Sequence, residues 1–390
     1  MERSRSRAAP SGALTAAGAL QALTEALPKS PGDEDESRVH FPWQAGLVLD
    51  CRYQIQELLG DGAFGRVLKA RDLQEDTDVA LKVIRDVERY RDNAQVEVNI
   101  LLDLRKADPE DQFHCVRLLG AFLHSGVYFC IVTELLGDAL YDFLKWNGYR
   151  GFWLQDIQSF AQQTLRALAF LHSLSLTHTD LKPENILLQT RSLPQVSTFP
   201  RGELQPPSPR YAELPYIRPA DRRVKLIDFG NATYVDMHHS SIIQTRQYRS
   251  PEVVLHLGWS EKADLWSLGC ILWELYSGNM LFETHNSAEH LAMMERILEP
   301  FPESMLSRVS GKTKTRFVAE VTEDQHRLQW PKNAESERSV LKVWKQWPLE
   351  DRVPAEHLDF VQFLRGLLAL EPWRREVPQQ CRFLSMEYKE

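Results

Sequence analysis

The sequence predicts an α+β fold in two lobes, a small antiparallel β lobe with one helix followed by a larger, mainly helical lobe. Three observations predict it. Between Tyr53 and Val83 the apolar residues alternate or cluster in short β-rich runs, separated by Gly or by Asp/Glu/Thr turns. A single helical repeat follows from Asn93 to Leu104, with Val96, Ile100, Leu101 and Leu104 on one face. After Gly137 the pattern changes to long amphipathic helices.

The elements follow in order. Residues 1–40 are rich in Ala, Ser, Arg and acidic residues, with Pro28, Pro31 and the run Asp33-Glu34-Asp35-Glu36, and read as a disordered tail. Its opening, Arg3-Ser4-Arg5-Ser6-Arg7, is either a miniature Arg/Ser repeat or a chance basic tip. Residues 41–135 form the first lobe: the runs Tyr53-Gln54-Ile55, Val67-Leu68-Lys69-Ala70 and Val79-Ala80-Leu81-Lys82-Val83, then the helix, then strand character at Phe113–Leu123 and Val127–Thr133. The join falls near Glu134 to Gly137, and residues 136–390 form the second lobe, with helices at Leu154–Ser173, Ser260–Ser277 and His290–Leu298. Within it, residues 189–223 hold Pro194, Pro200, Pro206, Pro207, Pro209, Pro215 and Pro219, too many for a helix or a central strand, and read as an excursion from the core.

Composition narrows the function. With 390 residues, 43% hydrophobic and 26% charged, the chain can bury a proper core. Every apolar run is cut well short of the ~20 residues a bilayer span needs, so no membrane partner is expected. The Arg-bearing N-terminus has no apolar stretch behind it, unlike a secretory signal, and Glu2 excludes N-myristoylation. Five scattered cysteines without a C-x-x-C pair fit a reducing compartment rather than a disulfide framework or a zinc site. A net charge of −8 argues against direct nucleic-acid binding and leaves a basic peptide or protein as partner.

Four short motifs and one helix glutamate then carry chemistry. Gly60-Asp61-Gly62-Ala63-Phe64-Gly65 lies between two strands, where glycines let backbone N–H groups approach phosphate oxygens; alone it is equally a hairpin turn. Val79-Ala80-Leu81-Lys82 puts a lysine on the next strand, with Glu97 on the helix beyond as the partner that fixes its ammonium, although a lone Lys/Glu pair is usually surface decoration. His178-Thr179-Asp180-Leu181-Lys182-Pro183-Glu184-Asn185 is the most informative octet: Asp180 can accept a hydroxyl proton, Lys182 can neutralise charge on a transferred phosphoryl group, and Asn185 can ligate Mg²⁺. Leu226-Ile227-Asp228-Phe229-Gly230 supplies a second oxygen ligand suited to that hard cation.

In this order the motifs resemble the eukaryotic protein kinases, over roughly residues 53 to 385, with Ser250-Pro251-Glu252 closing an activation segment and Asp264-Leu265-Trp266-Ser267-Leu268-Gly269 on a large-lobe helix. The resemblance implies the bilobal protein kinase fold, with ATP and Mg²⁺ as cofactors. ATP would be held by Leu59, Gly60, Asp61, Gly62, Ala63, Phe64, Gly65, Val67, Ala80, Lys82, Glu134, Leu136 and Leu187, with Val67 and Ala80 above adenine and Leu187 below it. Asn185 and Asp228 would hold the metal; Asp180, Lys182, Lys82 and Glu97 would be catalytic; Glu184 and Thr245 would bind substrate. Glu252 would pair with Arg375, and Asp264 would brace the catalytic loop.

The hexapeptide Leu291-Ala292-Met293-Met294-Glu295-Arg296 narrows the resemblance to the LAMMER, or dual-specificity Cdc-like, kinases. By spacing alone those residues are only a buried helix face. His178-Thr179-Asp180 in place of His-Arg-Asp, Asn231-Ala232-Thr233-Tyr234, His238-His239-Ser240 and Thr245-Arg246-Gln247-Tyr248-Arg249 agree with the same subfamily, which also carries a hairpin in the insert before Asp228. The resemblance implies phosphorylation of Ser/Thr, and of Tyr by autophosphorylation, on Arg/Ser-rich splicing factors, regulating pre-mRNA splicing. It implies a monomer in the nucleus, with the cytoplasm as a second location. Thr179 lacks the guanidinium that clamps a phosphorylated loop, which implies constitutive activity. Glu184 reads as a receptor for substrate arginine or as a solvated loop carboxylate. The departures are Thr133 at the gatekeeper position, Ser250, Glu371-Pro372-Trp373, the short tail and the proline-rich insert. The competing reading is a pseudokinase-type binding scaffold, against which stand Lys82, Asp180, Asn185 and Asp228.

Overall fold

The computed structural model describes residues 40–202, 214–237, 240–376 and 382–388. The tail expected at 1–40, apart from His40, and the pair His238-His239 lie outside the described residues. The chain divides into two compact units, residues 116–135 joining the part before Ala107 and residues 108–115 joining the part after Leu136.

In the first unit six strands form one antiparallel sheet in the order β1-β2-β3-β4-β6-β5: β1 Val48–Leu49, β2 Tyr53–Gly62, β3 Gly65–Asp72, β4 Thr77–Ile84, β5 Leu118–His124 and β6 Tyr128–Glu134. Alternation decides which side chains turn inward. Tyr53 and Ile55, Leu68 and Ala70, and Val79, Leu81 and Val83 bury one face together with Phe41, Leu49, Cys130 and Val132. The helix Glu88–Ala107 extends the expected one at both ends. Its buried stripe is Arg91, Ala94, Glu97, Val98, Ile100, Leu101 and Leu104. Val96, expected on that face, is 41% exposed, because at 3.6 residues per turn it lies just past the edge of the stripe. Glu97 takes an inward place instead.

The strand expected from Phe113 begins only at Leu118. Residues 108–115 pack with the second unit: Phe113 stacks on Phe170 with centroids 4.5 Å apart, Leu226 N donates to His114 O at 2.8 Å, and the fully buried Lys225 ammonium meets Asp111 at 2.6 Å.

The second unit is mainly helical. Leu154–Ser173 is found as expected, while Lys262–Ser277 and Ser287–Ile297 differ from expectation only at their ends. Lys262–Ser277 is buried almost throughout, and it stops at Gly278, whose φ of +74° and distance of 1.7 Å from a built Cβ to Tyr149 O admit no side chain. Ser287–Ile297 starts from Asn286, whose side chain accepts from Ala288 N and Glu289 N; Leu291, Ala292, Met293 and Met294 are all buried in it.

Of the proline-rich insert, residues 203–213, with Pro206, Pro207 and Pro209, lie outside the described residues; the described parts are tied to the rest of the second unit. Gln195–Ser197 pairs antiparallel with Tyr216–Arg218. Arg218 makes a two-pronged ion pair with the buried Asp156 at 2.7 and 2.9 Å, the Asn147 side chain exchanges two 2.8 Å hydrogen bonds with Ile217, and the buried Arg201 donates to Tyr276 O at 3.1 Å. Arg201 also lies 4.3 Å above the Tyr276 ring. Prolines limit regular structure here to one short strand pair but do not exclude side-chain anchoring, and these anchors fasten that pair to the rest of the second unit.

Candidate active site

The first unit carries the glycine-rich hairpin and the lysine. Strands β2 and β3 keep pairing through Asp61↔Arg66 to Gly62↔Gly65, so Ala63 and Phe64 form the tip. The glycines differ in purpose. A Cβ on Gly65 would lie 2.2 Å from Val83 O, so that glycine is needed for strand packing, whereas a Cβ on Gly60 would meet nothing within 4 Å. Neither Gly60 nor Gly62 has positive φ. The fold itself does not require them to be bare, and what they leave open is room for something outside the chain. Phe64 is 51% exposed, its ring edge-on to Tyr90, and Leu59 is also exposed.

Lys82 projects from β4 opposite Val67 on one side and Ile131 on the other, and Ala80 stands opposite Thr133. The Lys82 ammonium donates to both oxygens of the buried Glu97, at 2.8 and 3.0 Å. The two residues expected to pair do so, which explains why a glutamate occupies the inner face of the helix. The carboxylate of Glu134 accepts from Arg117 N at 2.8 Å, so a nucleotide contact at Glu134 would come from its main chain.

The second unit carries the octet and the metal motif. Asp264, fully buried, accepts from His178 N at 2.9 Å, Thr179 N at 3.0 Å and His172 Nε2 at 3.0 Å, which is the bracing expected of it. Thr179 has φ +68°, a left-handed conformation costly for a β-branched residue, and its hydroxyl donates to Asn231 O at 2.7 Å. The strand Ile186–Leu188 pairs with Val224–Leu226, bringing the end of the octet alongside the approach to Asp228. Ile227 N donates to Asn185 O, and His178 contacts Ile227 O, both at 3.0 Å. Asp228 itself has φ +65° and ψ +71°.

Around Asp180 the contacts are dense. Its Oδ2 accepts from the Lys182 ammonium at 2.6 Å, and its Oδ1 accepts from the Thr245 hydroxyl at 2.7 Å and Thr245 N at 3.1 Å. Thr245, expected at the substrate, therefore uses its hydroxyl to orient Asp180. The sequence marks the residue but not this role, since the two lie 65 positions apart and nothing between them announces the contact. The Asn185 amide nitrogen donates to Asp180 O at 3.0 Å, leaving the amide oxygen as the group that can face a cation. Asn185 and Asp228 together offer an amide oxygen and a carboxylate, the donor set a hard divalent ion accepts. Among the described residues no cluster of three or more His, Cys, Asp or Glu could hold a metal alone.

Glu184 is exposed and has no ion-pair partner among the described residues. Desolvation raises its carboxyl above the usual range, with Asp180 and Asp142 adding to the rise and the Lys182 charge opposing it. Leu136 is buried and Leu187 is half-buried. Finally Glu252 and Arg375, 123 positions apart, form the expected pair, with two buried contacts of 2.6 Å.

Each unit carries residues of a phosphotransferase: the first a lysine fixed by a glutamate, the second a braced aspartate with its own lysine and an asparagine beside an Asp-Phe-Gly turn. Residues 53–383 match the protein kinase domain family, and the chain belongs to that family. It is 42% identical over 346 residues to dual specificity protein kinase CLK1 of Homo sapiens, covering 88% of this chain and 67% of that one. It is 41% identical to serine/threonine-protein kinase AFC3 of Arabidopsis thaliana, covering 88% and 84%, and 40% identical to dual specificity protein kinase CLK4 of Mus musculus, covering 89% and 68%. A crystal structure of a kinase domain matches with a TM-score of 0.81 at 38% identity, covering 89% of this chain and 99% of that one. The chain is a dual-specificity protein kinase of the LAMMER type, with ATP as phosphoryl donor and a divalent metal as helper.

Proposed function

We propose that this kinase phosphorylates Arg/Ser-rich proteins, splicing factors among them, and does so in the nucleus as a monomer with Mg²⁺ as its metal. The observation that carries the catalytic part is the Asp180 carboxylate, gripped on one oxygen by Lys182 and on the other by Thr245. So held, it is oriented to accept the proton of a substrate hydroxyl as that oxygen attacks the γ-phosphorus of ATP and ADP leaves. Lys182 balances charge on the moving phosphoryl group, and Lys82, fixed by Glu97, holds the α/β-phosphates. Asn185 and Asp228 would hold Mg²⁺, which when bound screens the phosphate charge.

Glu184 supports the substrate class. An exposed carboxylate four positions after the proton acceptor, without an ion-pair partner among the described residues, suits a guanidinium, which carboxylates bind with two parallel hydrogen bonds. Steady-state kinetics on an Arg/Ser peptide test the reading. Glu184→Ala is expected to lower kcat/KM for the peptide by about ten- to a hundredfold, the worth of a charge-assisted bond, while ATP hydrolysis without peptide changes little. Equal losses in both reactions would refute arginine recognition, and an Asp180→Asn variant that still phosphorylates the peptide would refute the catalytic assignment.

A further inference from the structure

We propose that Arg66 is a positioning residue for the phosphate loop, tying it to the chain segment that enters at His40 and Phe41. The inference rests on reading Gly60–Gly65 as the phosphate loop and goes beyond that reading to what holds the loop in shape. Arg66 stands directly across from Asp61 at the base of the hairpin tip. Its Nε and Nη2 donate to Asp61 Oδ2 at 3.1 and 3.0 Å, and its Nη1 donates to Phe41 O at 2.8 Å. The other oxygen of Asp61 lies 3.3 Å from His40 Nδ1, close enough for an ion pair with a protonated imidazole though not aligned as a hydrogen bond. One guanidinium thus joins three chain segments.

The anchor at the far end is firm. The Phe41 ring is 4% exposed, edge-on to Tyr128 at 5.0 Å and to His124 at 5.8 Å, so its carbonyl is held by the β5–β6 hairpin. On the other flank Arg85 N donates to Phe64 O at 3.0 Å and the Arg85 side chain donates to Ala63 O at 3.2 Å. A hairpin with three glycines is floppy on its own, and ordering it at the moment of nucleotide binding would cost affinity. Bonds made beforehand remove that cost. Arg66 does a second thing: it neutralises a carboxylate within the loop that would otherwise repel phosphate. Exposed ion pairs contribute little to global stability, so the effect belongs in nucleotide binding rather than in melting.

The test is kinetic, on the full chain. Arg66→Met keeps the aliphatic stem and removes the fork; KM for ATP is expected to rise roughly three- to tenfold, with KM for the peptide unchanged and Tm nearly so. Arg66→Lys recovers only part, since one ammonium cannot span both acceptors. Phe41→Ala, which unmoors the carbonyl, is expected to raise KM for ATP in the same direction, and the Phe41→Ala/Arg66→Met pair to be clearly less than additive. An Arg66→Met enzyme with unaltered KM for ATP overturns the proposal, as does full additivity. Lys82→Met separates the two readings: if it leaves ATP use intact, the phosphate-site reading falls; if it abolishes ATP use while Arg66→Met has no effect, only the strap falls.

Discussion

Glu252 and Arg375 are paired so deeply that both are almost free of solvent, and the guanidinium also donates to Ala369 O, Lys262 O and Leu370 O while lying 5.0 Å from the Trp266 ring. Removing one partner of such a pair strands the other charge, so Arg375→Met is expected to cost about 3–5 kcal/mol in urea denaturation. Adding Glu252→Gln should return part of that loss; a double variant as unstable as the two single losses combined would show that the pair contributes through packing alone. The residue scale is also where the sequence was least explicit. Lys82, Glu97, Asp180, Asn185 and Asp228 are readable because their chemistry fixes their type and their order. Ser250 reads as a mild exchange for alanine, yet its hydroxyl donates to the buried Gln244 Oε1 at 3.2 Å while Gln244 Nε2 reaches Ala263 O at 2.8 Å and Ser267 Oγ at 2.9 Å. A hydrogen bond set by tertiary packing leaves no periodic trace in a chain.

At the scale of the element, the activation segment is organised by contacts that need no phosphate. Arg249 donates to Ile243 O at 2.9 Å and Gln244 O at 2.8 Å, Trp259 Nε1 donates to Ser240 O at 2.9 Å, and Thr245 is tied to Asp180. Thr179, which takes the place of the arginine that would clamp a loop phosphate, instead bonds Asn231 O. Phosphatase-treated protein, verified by mass spectrometry, is therefore expected to keep most of its peptide kinase rate; a loss of about tenfold or more, restored by rephosphorylation, would refute this. Elements were legible in proportion to their periodicity. Leu154–Ser173 shows ten buried positions in helical rhythm and was readable end to end. Phe113–Cys115 alternates as a strand would, but Phe113 stacks on Phe170 and Asp111 pairs with Lys225, so tertiary partners override the local pattern. The insert hairpin was opaque in detail for the same reason, its order coming from Arg201, Tyr216 and Arg218 reaching other elements.

For the molecule as a whole, two buried titrating groups set opposite limits on the pH at which it is stable. Burial pushes Glu274 up from 4.5 to about 7, its hydrogen bond from Tyr248 opposing and the nearby Glu184 adding to the rise. Since its folded value exceeds its unfolded one, the folded state holds the proton more tightly; that contribution is complete below about 4.5 and is lost as pH rises through about 7. Burial pushes His290 down from 6.5 to about 3, with Arg246 and Arg249 adding to it. The folded state therefore favours the neutral ring; its contribution is complete above about 6.5 and declines as pH falls toward 3. A shift from 4.5 to about 7 corresponds to about 3 kcal/mol at most. Glu274→Gln keeps an oxygen for the Tyr248 hydroxyl and cannot ionise, so its Tm should match the wild type near pH 4.5, rise above it progressively to pH 7, and keep a constant advantage beyond. Two melting curves measured at half-unit steps from pH 4.5 to 8.5 decide it: a difference that does not grow through that window removes Glu274 as the group responsible for the alkaline limit.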